Sequence, residues 1–342
     1  MNDGKATIVM RLTALWAFSE AFLGGILHAF HLPFTGLILS SIAVLCIVCI
    51  ALQGYTKGQI IKATLLVLLI KAMISPHTPV SAYVAVLLQG AFCEFIFLLG
   101  TPFALSCFIV AIAALMQSAF QKLIILTLLF GVDFWSAMDE FLNSIAKQFG
   151  FGTVEYTNYL VLFYLMLHFL VGIVVGSIAV RLPKTVASSA KEFEHQQIIV
   201  PDNLETELLY TAGHKRKNRF KYWIVGILLF WLAFDIYSEG TLSAMIHSKA
   251  LKLIVRASLF ILIWYFFLSP IIFILFQKWL AKQRSKFSLE VNVLLKLLPE
   301  IKYITTQCWL NTSHLRGFKR IFKFVRYTFF VMLHEKNANT SA

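Results

Sequence analysis

Charge is the scarcest property of this 342-residue sequence: Asp, Glu, Lys and Arg make up 14% of it, against 59% hydrophobic residues. A soluble domain carries about 25% charged residues, so a water-soluble fold could not bury this much apolar surface. Proline is sparse too, with 8 residues against 32 Phe, and the long apolar runs lack the short alternating strands of a membrane barrel. What remains is helices packed in lipid, each bonding its backbone groups within its own segment. Four of the five cysteines sit inside apolar runs, which argues against a disulfide framework. Cys46 and Cys49 form C-x-x-C without flanking charge, a nearby His or a second pair, and so read as packing residues. No A-x-A-like site follows the first apolar run, which predicts that the N-terminus is retained. Walker A, G-x-S-x-G, H-E-x-x-H and strand-flanked G-x-G-x-x-G patterns are all missing. The chain therefore reads as a non-enzyme that needs no cofactor and cannot hydrolyse ATP alone.

What is present is a series of apolar runs at residues 12–30, 33–53, 59–75, 81–99, 103–132, 157–180, 221–238 and 252–276. The fifth is overlong and carries Gln117, Gln121 and Lys122. Counted as one span with the N-terminus inside, it leaves most of the 30 Lys and Arg on the cytosolic side, as the positive-inside rule requires. Splitting it would put the basic segment 181–221 outside. The expected fold is therefore an all-α polytopic membrane bundle: six spans in residues 1–180, a cytosolic linker at 181–220, then two more spans and a basic amphipathic tail in 221–342. Both ends are expected in the cytosol, with an acidic outer loop holding Asp133, Asp139, Glu140 and Glu155. The formal charge of +13 follows this membrane pattern, so the Lys215–Arg219 cluster reads as an anchor for anionic lipid and not as a nucleic-acid patch.

Ionisable residues inside spans cost about 2.5–3.5 kcal/mol on insertion scales, which makes Glu20 and Glu94 candidates for function. Gln89 lies just over one turn before Glu94 on nearly the same face. His28 and His31, before Pro33, and His77, between Pro76 and Pro79, fall in two turns on the outer side. Imidazoles there could line a substrate opening or ligate a transition metal, although no span carries an H-E-x-x-H set, and no metal site is assigned. His168, alone in the sixth run, reads as a core histidine. Ala14, Ala17 and Ala21 give the first helix a stripe of small residues that lets another helix come close.

Residues 1–180 resemble the substrate-binding S component of energy-coupling-factor (ECF) transporters. The resemblance rests on six spans of this length, on Ala14, Ala17 and Ala21, and on the outer turns His28–Pro33 and Ser75–Pro79. It implies a vitamin or micronutrient bound near the outer face under those turns, with Glu20, His28, His31, His77, Gln89 and Glu94 as its polar contacts. It further implies a first helix packed on a coupling subunit through its small residues, and a bacterial cytoplasmic membrane. The tail sequences Leu297–Ile301 and Ser313–Phe318 resemble the coupling helices of a shortened T component, which implies that Arg316 and Gly317 dock onto separate ATPase subunits. Only one Arg-Gly motif is present where the T component has two. From the residues themselves, Phe318, Ile321, Phe322, Val325 and Phe329 share one helical face and Lys319, Arg320, Lys323 and Arg326 the other, the pattern of a helix lying on a membrane surface.

The leading expectation is thus a transport subunit whose partners are a small-molecule substrate, membrane lipid and ATPase subunits. The alternative is an integral membrane enzyme acting on a lipid-linked or isoprenoid substrate through Glu20, Glu94 and the histidines.

Overall fold

The computed structural model describes residues 3–30, 34–75, 78–188 and 269–334, with isolated positions at 198, 258, 262 and 263. The expected span 221–238, most of the span 252–276 and the Lys215–Arg219 cluster lie outside the described residues. Among the described residues the secondary structure is entirely helical. In chain order the helices are α1 (Asp3–Phe18), a π-helical turn (Ser19–Leu23), α2 (Gly24–Ala29), α3 (Thr35–Leu52), α4 (Gln59–Ile74), α5 (Val80–Leu98), α6 (Phe103–Phe130), α7 (Asp133–Gln148), α8 (Tyr156–Ser188), α9 (Ser269–Lys286), α10 (Ser288–Asn311) and α11 (Gly317–Leu333).

Five described segments are long and apolar enough to cross a membrane: Gly4–Leu27, Thr35–Leu52, Val80–Leu98, Phe103–Phe130 and Tyr156–Val186. The chain is a multi-pass α-helical membrane protein. The overlong fifth run is one unbroken helix of 28 residues. The third expected span, 59–75, is the helix α4, which at 16 residues and 1.5 Å each reaches about 24 Å and is shorter than the five above. The sixth run also differs, since α8 continues past its expected end at residue 180, through Pro183, to Ser188.

The chain forms two compact units. One comprises Met1–Ser118, His168–Thr211 and Lys282–Ala342. At its centre α1 packs against α3, α4 and α10, while α4 also packs on α5 and α10 on α11. Leu12, Ala14, Trp16 and Ala17 are fully buried, and Ala21 nearly so. The small-residue stripe is therefore covered by helices of this same chain, with no face left open for a separate subunit. Gly90 shows how tightly α4 and α5 meet: a Cβ there would lie 2.0 Å from Thr64 Oγ1. Gly172 and Gly176 do the same for α8 against α6, where added Cβ atoms would fall 3.0 Å from Ile112 Cα and 3.1 Å from Phe108 Cα. The Gly-x-x-x-Gly spacing of Gly172 and Gly176 is a packing signal that the sequence of α8 carries.

The other unit comprises Ala119–Leu167 and Ala212–Ala281. Its α7 carries Asp133, Asp139 and Glu140 of the acidic loop, and one of these acids binds backbone. Asp139 Oδ1 accepts a bond from the Thr157 backbone N–H at 3.0 Å, capping the start of α8. Asn143 clasps Val154 through both its amide groups, each at 3.0 Å.

Candidate functional site

The two carboxylates singled out inside the apolar runs lie at opposite ends of α4. Contacts at those ends set the helix directions. The start of α4 meets the end of α5 through Glu94, while its last turn meets Glu20 and Ala21 beyond α1. So α4 runs antiparallel to α5 and parallel to α1.

At one end the π-helical turn carries Glu20. Such single-turn widenings inside α-helices are rare and are frequently found at functional positions. Here the turn brings Glu20 Oε2 within 2.7 Å of Lys71 Nζ, with both side chains 4% exposed. Lys71 lies 5.9 Å from the Tyr83 ring centroid. Tyr83 donates its hydroxyl to the Ser75 carbonyl at 3.1 Å, and the Ser75 hydroxyl donates to the Ala21 carbonyl at 3.3 Å. The network binds the last turn of α4 to the widened turn after α1 and to the first turn of α5. Low dielectric makes the attraction strong, but burial of both ions costs several kcal/mol each, so the pair contributes little net stability while its disruption is expensive. Lys71 escaped the sequence reading. Its signal was available, because a lysine one turn from the end of an apolar run is the natural counter-ion for a carboxylate one helix away.

At the other end Glu94 serves the backbone. Its Oε1 accepts from the Gly58 N–H at 2.6 Å and from the Tyr55 hydroxyl at 2.5 Å, and its Oε2 from the N–H groups of Ile60 at 2.9 Å and Ile61 at 3.2 Å. These are the orphan donors of α4's first turn, where the helix dipole also favours an anion. Gly58 precedes the helix at φ 85°, in the left-handed region, and has no side chain to cap with. The carboxylate from α5 takes that role. Burial and the bond to Glu94 together push the Tyr55 hydroxyl above its ordinary range. Gln89 is 3% exposed and donates its amide to the Ser40 carbonyl at 3.3 Å, tying α5 to α3.

The structure thus does not gather Glu20, Gln89 and Glu94 around one opening, as the sequence reading expected. Glu94 sits at the far end of α4 from the Ser75–Pro79 turn, and its polar atoms are occupied. The cavity at that far end, about 620 Å³, is lined from α1, α4 and α10 by residues including Met10, Thr13, Lys57, Lys62, Leu66 and Glu290, none of them an expected substrate contact. Lys62 and Glu290 pair across it at 2.8 Å. The ammonium holds the Glu290 carboxyl below its ordinary value. His31 and His77 lie outside the described residues, and His28 lies in α2. No group of three or more His, Cys, Asp or Glu poised for a metal occurs among the described residues. His168 is buried at 1% exposure, and all five cysteines are buried free thiols.

The tail residues are in place. Arg316 is extended at φ −127° and ψ 155°, immediately before α11, and Gly317 adopts φ +60°, a conformation costly for any other residue. Both are exposed, and Phe318 beside them is 90% exposed. The expectation of a helix lying wholly on the surface needs correction. Ile321 and Phe322 are about half exposed, but Tyr327, Phe329 and Met332 are buried in the bundle. Only the first half of α11 is free to meet lipid or a partner.

Taken together, these features define a multi-pass membrane protein with a buried Glu–Lys pair at one end of its α1–α4 contact and an exposed Arg-Gly turn on its C-terminal helices. Compared with family models, curated proteins and solved structures, the chain matches none.

Proposed function

We propose that this chain is a membrane subunit of an ECF-type importer, taking up a vitamin or other micronutrient with energy from separate ATPase subunits. In this reading it lies in a bacterial cytoplasmic membrane with both ends cytosolic. The observation that carries the reading is the packing of α10 along α1, fixed by a 2.7 Å ion pair between Arg11 and Glu300. Helix α10 leads directly into the exposed Arg316–Gly317 turn, and α1 leads directly into the turn that carries Glu20. A push on the Arg-Gly turn would thus reach the buried Glu20–Lys71 pair through two packed helices. An anionic substrate group can compete with Glu20 for Lys71, an exchange in which the ammonium keeps a counter-ion. Substrate contacts are accordingly assigned to Glu20 and Lys71 in this reading.

Two charge reversals test the coupling. Arg316→Glu is expected to stop substrate uptake in cells while purified protein still binds substrate, and Lys323→Glu, which also reverses one charge on the tail, to be milder. Equal losses would reduce the tail to an anchor, each basic residue near an anionic surface being worth about 1 kcal/mol. Mass spectrometry of ligand carried through purification should find a water-soluble small molecule. Turnover of a lipid without ATP would instead establish the enzyme reading.

A further inference from the structure

Helix α7 joins the end of α6 to the start of α8, and its apolar residues Phe134, Met138, Phe141, Leu142 and Ile145 fall within about 100° of arc around the helix axis. In a soluble protein such a stripe is the side that packs on the rest of the fold. Here the fastenings lie elsewhere. Trp135 Nε1 donates to the Thr127 hydroxyl of α6 at 3.0 Å, Asp139 accepts from the Thr157 N–H of α8, and Asn143 holds Val154 just before α8. These three residues centre about 110° round the helix from the apolar stripe, and Asp133, Ser136, Glu140 and Lys147 take the remaining face. The stripe is left open. Phe141 is 59% exposed and Ile145 37%, while Phe134, Met138 and Leu142 are half-buried.

The fastenings hold α7 at the ends of two spanning helices, which is the level where hydrocarbon gives way to headgroups. Exposed apolar side chains run on without a break at that level, from Leu128 in the last turn of α6 through Val132, along α7, and through Phe149 and Val154 to Tyr159 in the first turn of α8. The lipid-facing surface of the two spans therefore continues onto α7. Charge does not draw the helix there, because Asp133, Asp139 and Glu140 outnumber Lys147. We propose that α7 lies in the membrane interface, its apolar stripe seated among the acyl chains of neutral lipid, and so fixes the depth of the α6 and α8 ends that it joins. A helix with one apolar and one polar face, and too polar to span, takes that position through the apolar area it buries. The surface is independent of the transport reading.

The test uses the full chain in phosphatidylcholine vesicles, with a nitroxide on one introduced cysteine at a time. Its collisions with dissolved oxygen, which concentrates in lipid, are compared with those of a water-soluble nickel chelate. All five native cysteines are buried, which leaves the introduced thiol as the one that reacts. F141C and I145C should sit about 5–10 Å inside the headgroup boundary, rich in oxygen and shielded from nickel as L128C is. E140C and S144C, on the polar side, should meet nickel freely. I145C supplies the measurement if F141C does not fold. Nickel access at F141C and I145C equal to that at E140C and S144C would put the stripe in water and overturn the proposal. So would exclusion of both oxygen and nickel from F141C and I145C, because protein, from this chain or a second copy, would then cover the stripe.

Discussion

Two carboxylates of one bundle, Glu20 and Glu94, have nearly the same burial, 4% and 5% exposed, and meet opposite solutions to the same problem. Glu20 is neutralised by a full charge, the Lys71 ammonium. Glu94 is neutralised by partial charges, three backbone N–H groups and a tyrosine hydroxyl. The difference bears on what each end can do. A capping carboxylate is held by donors that cannot move without unwinding α4, so the Glu94 end is a fixed joint. An ion pair is held by two side chains, and a third ion can replace either partner, so the Glu20 end can be exchanged.

The largest effect should come from breaking the exchangeable end by half. Glu20→Ala strands the Lys71 charge in the bundle, and a loss of about 3–5 kcal/mol is expected in unfolding of the purified protein. Adding Lys71→Met should restore most of that stability, because the pair contributes mainly by cancelling its own burial cost. A double variant as unstable as the single would show that Glu20 is needed for something beyond Lys71, and the contrast with Glu94 would fail.

At the fixed end no second substitution should help. Glu94→Ala leaves the first-turn N–H groups of α4 without their acceptor, an expected cost of about 2–4 kcal/mol. Amide exchange should rise at Ile60 and Ile61 while the last turn of α4 stays protected. Faster exchange along the whole helix would mean that the two ends are not independent.

The smallest effect belongs to Lys62 and Glu290, which are half exposed and worth at most about 1 kcal/mol. Because its carboxyl is held below the ordinary value, Glu290 contributes stability that is present above the ordinary glutamate range and lost as pH falls through its lowered value. Melting temperature compared at pH 7 and in the acid range should drop slightly more for the wild type than for Lys62→Met. An equal drop in both would show that this pair adds nothing to the joint between α4 and α10.

Composition alone determined the membrane class, the all-helical fold and the positions of five spanning segments, because lipid permits few other ways to satisfy a backbone. The sequence likewise placed Glu20 and Glu94 inside apolar runs. Tertiary structure decided everything that depends on which helices meet. Hydropathy placed α4 within one residue of its observed bounds, Gln59–Ile74, but could not show which helices it meets. Charge pattern cannot assign Lys71 to Glu20, because 51 residues separate them, and only the parallel packing of α1 and α4 brings them together. The same packing turned Glu94 from an expected substrate contact into a cap, since the direction of α5 against α4 sets which end of the neighbouring helix its carboxylate meets. Sequence spacing fixes a residue's height within its own helix; the neighbour at that height is a property of the bundle.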